Sequence, residues 1–316
     1  MNIGKMLFRL YTGLNINKEK VDKITLNRDF TDIIKATLKQ YRKAQMKLLR
    51  VAFLAIFVMI FIPVGLYHGN EILQKHPEAM IAISAPFVLG GFYAIFGLAI
   101  SYWTDYEDFF KANLISNIIK DIDKNFTYVP KKIRDLDEAF GECSFFDRYD
   151  YLDKEDYISG AYNGILFDFA EFHFYSKSEN FEGCVLSVKL EKKLDFELKL
   201  INKKLNFFKK LFSKFDNVDF NKIFAVKGGD MAQNMRILTP SFMEKLVMLN
   251  ANKEFGHISA VFKDNKFYIY MENNKNLFEP YFFAKPTITF AKYYKYEILK
   301  ILSLIDELGF AKKINL

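Results

Sequence analysis

The sequence predicts an α+β protein. A helical N-terminal region with a two-helix transmembrane hairpin is followed by a cytoplasmic domain with a mostly antiparallel sheet and flanking helices. Three observations predict this: two long uncharged apolar runs near the N-terminus, a concentration of Lys and Arg before them, and a change to β-rich segments separated by turn signals from about residue 131. With 316 residues, of which 51% are hydrophobic and 26% charged, the chain is typical of globular proteins and long enough for two structural units.

The apolar runs cover residues 51–67 and 79–102, which are 17 and 24 residues without a charge. A helix needs about 20 apolar residues to cross a bilayer, so both runs are predicted as spans. Fifty residues precede the first run, which argues against a cleaved secretory signal. Pro63 and Pro86 lie inside the runs, where membrane helices tolerate proline.

The basic residues predict the orientation of the spans. The first 50 residues hold twelve Lys and Arg and four acids, whereas the loop between the runs holds a single basic residue, Lys75. The positive-inside rule therefore places both termini in the cytoplasm, with residues 1–50 as a basic helical cytoplasmic arm. Anionic lipid is the predicted partner of this arm, at about 1 kcal/mol per contact. Nucleic acid is not a predicted partner, because the positive excess is confined to the arm. Lys also outnumbers Arg by 38 to 7, and Arg is the residue that makes bidentate contacts with phosphate.

Two helices are predicted within the arm. Apolar residues recur at helical spacing at Ile3, Met6, Leu7, Leu10, Tyr11 and Leu14. This stripe could lie on the membrane or on the protein's own soluble domain, and the sequence leaves both open. A second helix is expected to begin near Asn27 and to run directly into the first span.

Small residues mark one face of the second span. Gly90, Ala94, Gly97 and Ser101 fall on one side of the helix, which predicts a transmembrane packing face. Packing against the first span is the favoured use, and a homo-oligomer or an oligomeric channel is left open. Neither run contains an ionisable residue, which disfavours a conduction pathway through a two-span monomer.

Beyond the spans, residues 104–130 are predicted as a membrane-proximal helix that ends at Pro130, and residues 131–316 as the cytoplasmic domain. The predicted strands are 160–175, 181–190, 220–226 and a hairpin of 257–262 with 267–271. Residues 189–215 are expected to form a strand followed by a helix.

Two further helices flank the predicted hairpin. One begins at Thr239-Pro240, with Ser241 and Glu244 as a capping box, and the other runs from near Thr287 to a stop at Gly309. These helices complete the predicted α+β domain.

Few residues suggest a metal or a cofactor, and none is predicted. The two cysteines, Cys143 and Cys184, exclude a zinc cluster and disfavour a disulfide framework, although one disulfide between them is left open. The four histidines are far apart and lack the HExxH spacing. His173 is expected to be a half-exposed sheet residue.

Three acidic residues are candidates for an interaction site or a pocket: Glu155, Asp156 and Glu279. Adjacent residues of a strand point to opposite faces, so Glu155 and Asp156 are not expected to form a catalytic dyad. Pro280 holds Glu279 in an extended conformation, on a rigid turn where it could dock a partner or cap a helix.

Five short motifs follow the spans in order: EDYISG at 155–160, FEG at 181–183, DFNKIF at 219–224, RILTPSFM at 236–243 and LFEP at 277–280. This order resembles a bacterial membrane-protein family catalogued as domain of unknown function 3137. The resemblance implies the bacterial inner membrane and a cytoplasmic α+β domain, and it supplies no activity.

We therefore expect an interaction or scaffold domain that is presented at the membrane to an unidentified protein partner. The alternative is a membrane-tethered enzyme that acts on a lipid or envelope precursor. A deep pocket gathering Glu155, Asp156, His173 or Glu279 would favour the enzyme. A broad exposed apolar patch would favour the interaction domain.

Overall fold

The structure is a computed structural model that describes residues 17–69, 77–131, 140, 151–175, 180–204, 215–272, 277–281 and 284–310. The chain divides into two compact units. The first comprises Met1–Asn117 and Glu279–Tyr293, and the second comprises Ile118–Phe278 and Tyr294–Leu316. The amphipathic helix predicted from Ile3, residues 205–214 of the segment expected to form a strand followed by a helix, and Cys143 lie outside the described residues.

The first part of the chain is helical. Helix α1 covers Lys18–Asp22, α2 covers Thr31–Gly69 and α3 covers Pro77–Phe110. Helix α3 continues through a π-helical turn, Lys111–Ile115, into α4, Ser116–Ile122.

Helix α2 begins at Thr31, four residues after the predicted start near Asn27. The Asp29 carboxylate accepts a hydrogen bond from the Thr31 N–H at 2.8 Å. The Thr31 side chain, and after it the Thr31 N–H, lower the pKa of Asp29 by hydrogen bonding to its carboxylate. An acidic acceptor at this position satisfies one of the otherwise unbonded N–H groups of the first turn.

Helices α2 and α3 pack against each other in antiparallel directions. The rings of Tyr41 and Tyr106 lie 5.6 Å apart, Lys47 Nζ lies 4.4 Å above the Tyr102 ring, and nearer the loop Val58 of α2 faces Gly91 of α3. Trp103 and Tyr106, near the end of α3, are buried inside the protein.

One stretch of the described residues, Thr31–Phe61, is long and apolar enough to cross a membrane. This agrees with the first predicted span. The second predicted span lies within α3, and its membrane placement stays a prediction.

The described residues of the second unit form an eight-stranded antiparallel sheet, which confirms the predicted mixture of helices with a mostly antiparallel sheet. The strand order is β1-β2-β3-β4-β8-β7-β5-β6. The strands are β1 Thr127–Val129, β2 Tyr151–Tyr162, β3 Ile165–Tyr175, β4 Asn180–Lys189, β5 Leu198–Asn202, β6 Phe224–Lys227, β7 His257–Lys263 and β8 Lys266–Glu272.

Several predicted elements differ from the structure. The segment 160–175 is not one strand, because Asn163 and Gly164 have φ values of 49° and 82° and form the turn between β2 and β3. The segment 220–226 is divided between helix α5, Val218–Ile223, and β6, because the Asn217 side chain caps the helix.

The helix predicted to reach Pro130 ends at Ile122. The Asp123 carboxylate accepts a hydrogen bond from the Asn125 N–H at 2.8 Å, which forms a turn before β1. The chain after the turn is extended and pairs with β2.

The remaining helices are α6 Met231–Ile237, α7 Pro240–Ala251 and α8 Ile288–Leu308. Pro240 occupies the first turn of α7 as predicted. The predicted cap at Ser241 is wrong, because Thr239 Oγ1 accepts the hydrogen bond from the Phe242 N–H. Helix α8 stops before Gly309, whose φ of +90° is the left-handed conformation of a helix end.

The two faces of the sheet are both buried. One face carries an aromatic cluster that includes Phe140, Phe172 and Tyr270. The other face carries Ile158 and Phe169, which line a small apolar cavity together with Ile298, Ile301 and Leu302 of α8. Helix α8 therefore covers the second face near β2 and β3.

Candidate metal centre

The strand register brings two glutamates and a histidine together on β2 and β3. Glu155 lies directly opposite Glu171 in the antiparallel pair, and His173 follows Glu171 by two residues. Opposite residues, and residues two apart on one strand, project from the same face of a sheet. His173 Nε2 lies 3.2 Å from Glu155 Oε1.

These side chains lie in the interior of the second unit. Glu171 and His173 are buried, and 17% of the Glu155 side chain is exposed. The Leu277 N–H donates a hydrogen bond to Glu171 Oε1 at 2.7 Å, so this carboxylate also anchors the turn that follows β8. The same face, two residues before Glu171, carries Phe169.

A β-bulge places Asp156 in the same region. Asp156 and Tyr157 lie between the paired residues Glu155 and Ile158, and together they oppose the single residue Ala170. Asp156 is fully buried and has φ of 56°, a left-handed conformation that is uncommon for a residue other than glycine. The premise that adjacent residues alternate between faces therefore fails at the bulge.

Tyr128 connects β1 to this cluster. Its hydroxyl donates a hydrogen bond to Asp156 Oδ1 at 2.5 Å. Burial raises the pKa of Tyr128 well above its usual value, and the negative charges of Asp156, Glu171 and Glu155 raise the pKa further. The Tyr128 hydroxyl thus lies within electrostatic reach of all three carboxylates and stays protonated at neutral pH.

The donor atoms of Glu155, Glu171 and His173 match those that a metal ion binds. One carboxylate oxygen from each glutamate and one imidazole nitrogen lie within 4.8 Å of one another. Carboxylate oxygen and imidazole nitrogen are ligands of zinc and of other divalent transition metals. The His173–Glu155 pair also has the contact of a general base with its orienting carboxylate, but the burial of His173 leaves little room for a substrate beside it.

The structure brings together two of the three acidic residues that the sequence singled out. Glu155 and Asp156 belong to the cluster, and Glu171 is a member that the sequence reasoning missed. His173 was expected to be half-exposed and is buried instead, because the face of β3 that carries it is covered. The spacing of Glu171 and His173 within an apolar strand was the sequence signal that could have identified this site.

Glu279 has a separate position within the first unit. Its Oε1 lies 3.7 Å from Lys111 Nζ, and both side chains are buried. Lys111 opens the π-helical turn after α3, a distortion that is frequent at functional sites. The contact ties the segment before α8 to the end of α3.

The predicted small-residue face of α3 is exposed within the chain at Gly90, Gly97 and Ser101. A Cβ atom added at Gly90 or Gly97 would meet nothing within 4 Å, whereas one added at Gly91 would lie 3.6 Å from Val58 of α2. Of these three glycines, Gly91 is therefore the one that approaches α2. Ala94 is helical, and the role of the four residues as a packing face stays a prediction.

Comparison with known proteins gives a family match and one similar structure to report. No curated protein matches the chain in sequence. A crystal structure of the mycobacterial trehalose monomycolate transport factor A, TtfA, aligns with a TM-score of 0.31 at 11% identity, over 61% of this chain and 92% of that chain. Residues 179–310 match the family described as Protein of unknown function (DUF3137), which confirms for this part of the chain the resemblance predicted from its motifs.

Proposed function

We propose that this protein is an inner-membrane protein with two spans whose cytoplasmic domain serves as an interaction or scaffold module. The observation that carries the membrane placement is the exposure of apolar side chains on α2. They are between 49% and 73% exposed: Leu49, Phe53, Leu54, Ile56, Phe57, Ile60 and Phe61. A helix buried in a soluble core would cover such residues, so lipid is the environment that suits them.

The contacts between α2 and α3 support a second span. Lys47 lies four residues before the first apolar run, and its ammonium group contacts Tyr102 at the end of the second run. The start of the first run and the end of the second run therefore lie at the same level, so that both runs would fit one bilayer. Apolar side chains of α3 are also exposed, among them Leu89, Phe92 and Leu98.

The charge distribution supports cytoplasmic termini. At about 1.5 Å per residue, the 39 residues of α2 extend roughly 58 Å, about twice the thickness of the hydrocarbon core. The basic half of the helix, including Arg42, Lys43 and Arg50, would then project on the cytoplasmic side and contact anionic lipid. The bacterial inner membrane is inferred from the family resemblance.

Reporter fusions to the full-length protein test this topology. Alkaline phosphatase, which is active only outside the cytoplasm, is inserted between α2 and α3, within residues 70–76, or fused after residue 316. We expect activity from the loop fusion only. A matched fluorescent-protein series, which is fluorescent inside the cytoplasm, should give the opposite pattern. Phosphatase activity from the C-terminal fusion would contradict the two-span arrangement.

The small cavity under α8 is not large enough to be a substrate pocket. Its volume of about 10 Å³ corresponds to roughly one water molecule, too little for a lipid or an envelope precursor. Met231 and Met235 are exposed four residues apart on α6 and thus share one side of the helix. Exposed methionines are common at surfaces that bind protein partners.

Photo-crosslinking from position 235 in cells tests the module. The matched control places the same crosslinker at the exposed Glu244 of α7. We expect a discrete protein adduct from position 235 and not from 244. Equal adducts from both positions, or none from 235, would contradict a docking surface on α6.

The second candidate is the membrane-tethered enzyme, favoured by the gathering of Glu155, Asp156 and His173. Catalysis would require a substrate to reach the buried imidazole. Purified full-length protein is incubated with membrane lipid extracts beside the His173→Gln variant. Turnover by the wild-type protein that is lost in His173→Gln would support the enzyme, and equal behaviour of both proteins would exclude His173 from such a role.

A further inference from the structure

We propose that Glu155, Glu171 and His173 form a binding site for a divalent transition-metal cation of the Zn²⁺ type. This inference is independent of the membrane scaffold function, because all three residues belong to the sheet of the second unit. Three observations carry it: the convergence of three ligand atoms, the burial of Glu171 and His173 on strands that pair directly, and the 17% exposure of the Glu155 side chain.

The distances fit coordination of one ion. Metal bonds of about 2.0–2.2 Å to oxygen and nitrogen place neighbouring ligand atoms roughly 3.3–3.6 Å apart around a tetrahedral ion. The 3.2 Å between His173 Nε2 and Glu155 Oε1 is close to this range. All three ligand atoms lie within 4.8 Å of one another, so the Glu171 oxygen must move at most about 1 to 1.5 Å towards the other two ligand atoms. A small change in the side-chain torsions of Glu171 is enough for such a movement.

The backbone holds the ligands in place before an ion arrives. Glu155 and Glu171 are directly paired, and His173 is two residues along the same strand. Glu171 is further oriented by the hydrogen bond from the Leu277 N–H. Outer hydrogen bonds of this kind fix the geometry of metal-binding carboxylates and raise affinity.

The local charge also favours a cation. Asp156 adds a third carboxylate close to the two glutamates, since all three raise the pKa of Tyr128. The Leu277 N–H and the Tyr128 O–H donate hydrogen bonds to the Glu171 and Asp156 carboxylates. A divalent cation bound beside several carboxylates would be attracted by each of them at short range.

The donor set selects the class of metal. Imidazole nitrogen binds zinc and its neighbours, whereas Mg²⁺ and Ca²⁺ prefer all-oxygen sites. Two carboxylates and one imidazole provide three protein ligands and leave a fourth position for water.

An ion can reach the site at the edge of the sheet. In the described register, β1 pairs only with Tyr157, Ile158 and Ser159 of β2. Glu155 lies beyond the end of this pairing, and 17% of its side chain is exposed. Glu155 would therefore be the first ligand that an incoming cation meets.

Zinc titration of the full-length protein in detergent, after treatment with a chelator, tests this site. Calorimetry of the wild-type protein should give one Zn²⁺ per chain, and Mg²⁺ should not compete. Glu155→Gln and His173→Gln should each weaken binding by about tenfold or more. Asp168→Asn is the matched control: Asp168 lies on the opposite face of β3, where it accepts a hydrogen bond from the Tyr157 hydroxyl. It should bind Zn²⁺ like the wild-type protein.

A spectroscopic measurement separates lost ligation from lost folding. Co²⁺ bound with an imidazole ligand has visible absorption bands, which should shift or disappear in His173→Gln while circular dichroism shows an unchanged fold. If His173→Gln does not fold, Glu155→Gln at the partly exposed position decides the question. The proposal is overturned if the wild-type protein takes up no Zn²⁺ at millimolar concentration. It is also overturned if Glu155→Gln binds Zn²⁺ as tightly as Asp168→Asn.

Discussion

The buried ion pair between Lys295 of α8 and Asp121 of α4 allows a quantitative test of the second unit. Lys295 Nζ lies 2.7 Å from Asp121 Oδ2, and the side chains are 7% and 0% exposed. At an effective dielectric constant of 20, two unit charges at this distance attract by about 6 kcal/mol, most of which offsets their desolvation. Replacement of Lys295 by Met leaves the buried carboxylate without this ammonium group, and we expect a loss of about 3–5 kcal/mol of unfolding free energy.

The assay is thermal unfolding of the full-length protein in detergent, followed by circular dichroism. For a unit of about 180 residues, each 1 kcal/mol lowers Tm by about 2–4 °C, so Lys295→Met should lower it by roughly 6–20 °C. The double variant Asp121→Leu with Lys295→Met removes both charges and should recover most of the loss.

The exposed pair Lys193–Asp264 provides the matched control, since Lys193→Met should change stability by less than about 0.5 kcal/mol. A shift of less than 3 °C for Lys295→Met, or no recovery in the double variant, would refute the reasoning.

Three further predictions concern the same unit. Gly183→Ala should lower the free energy of unfolding by about 3 kcal/mol, because an added Cβ would lie 2.0 Å from the Met271 carbonyl oxygen. Hydrogen exchange should show loss of protection at the β4 amides, and protection equal to that of the wild-type protein would contradict this expectation. Because the pKa of Tyr128 is raised in the folded protein, its hydroxyl ionises in the unfolded chain above about pH 10 while it stays protonated in the folded one. The free energy of unfolding should therefore fall above pH 10 by up to about 1.4 kcal/mol per pH unit. Denaturant unfolding between pH 8 and 11 should show a smaller fall for Tyr128→Phe than for the wild-type protein, and equal falls would contradict the raised pKa. In thermal unfolding, Thr239→Ala should lower stability by about 1 kcal/mol and Ser241→Ala by less than about 0.5 kcal/mol, because Thr239 caps α7. A larger loss for Ser241→Ala would support Ser241 as the cap, as predicted from the sequence.

Elements whose signals are local in sequence were predicted well. Asp264-Asn265 forms the turn between β7 and β8, and Gly309 follows the last turn of α8. A left-handed residue at a turn or helix end is a requirement of the backbone itself, so neighbouring residues are enough to reveal it.

Elements that depend on distant parts of the chain were predicted poorly. Strand β1 has three residues and is stabilised by pairing with β2, about 30 residues later, so helical periodicity before it was extended too far. The Asn163-Gly164 turn has a strong local signal, but the apolar run on both sides of it suggested one continuous strand. Phe220 belongs to a short helix because Asn217 provides a cap, although its aromatic neighbours favour a strand.

The candidate metal centre required the pairing register as well as the residue types. Glu155 and Asp156 were identified from sequence, but Glu171 becomes their neighbour only when β2 and β3 pair. A shift of one residue in this register would move Glu171 to the opposite face from Glu155. The apolar contacts of Ile158 and Phe169 with α8 oppose such a shift, so packing of the core also positions the cluster.

The segment 155–160 shows why the bulge belongs to the site. Asp156 adopts its left-handed conformation at a cost of about 1–3 kcal/mol, and the hydrogen bond from Tyr128 offsets part of it. The Phe126 ring lies 2.4 Å from the position that a Cβ on residue 160 would take. Glycine at this position therefore lets β1 approach β2. Since β1 carries Tyr128 to Asp156, Gly160→Ala should disturb the cluster without altering any of its ligands. Weaker Zn²⁺ binding by Gly160→Ala than by Asp168→Asn would therefore connect the bulge to the metal centre, and equal binding would separate them.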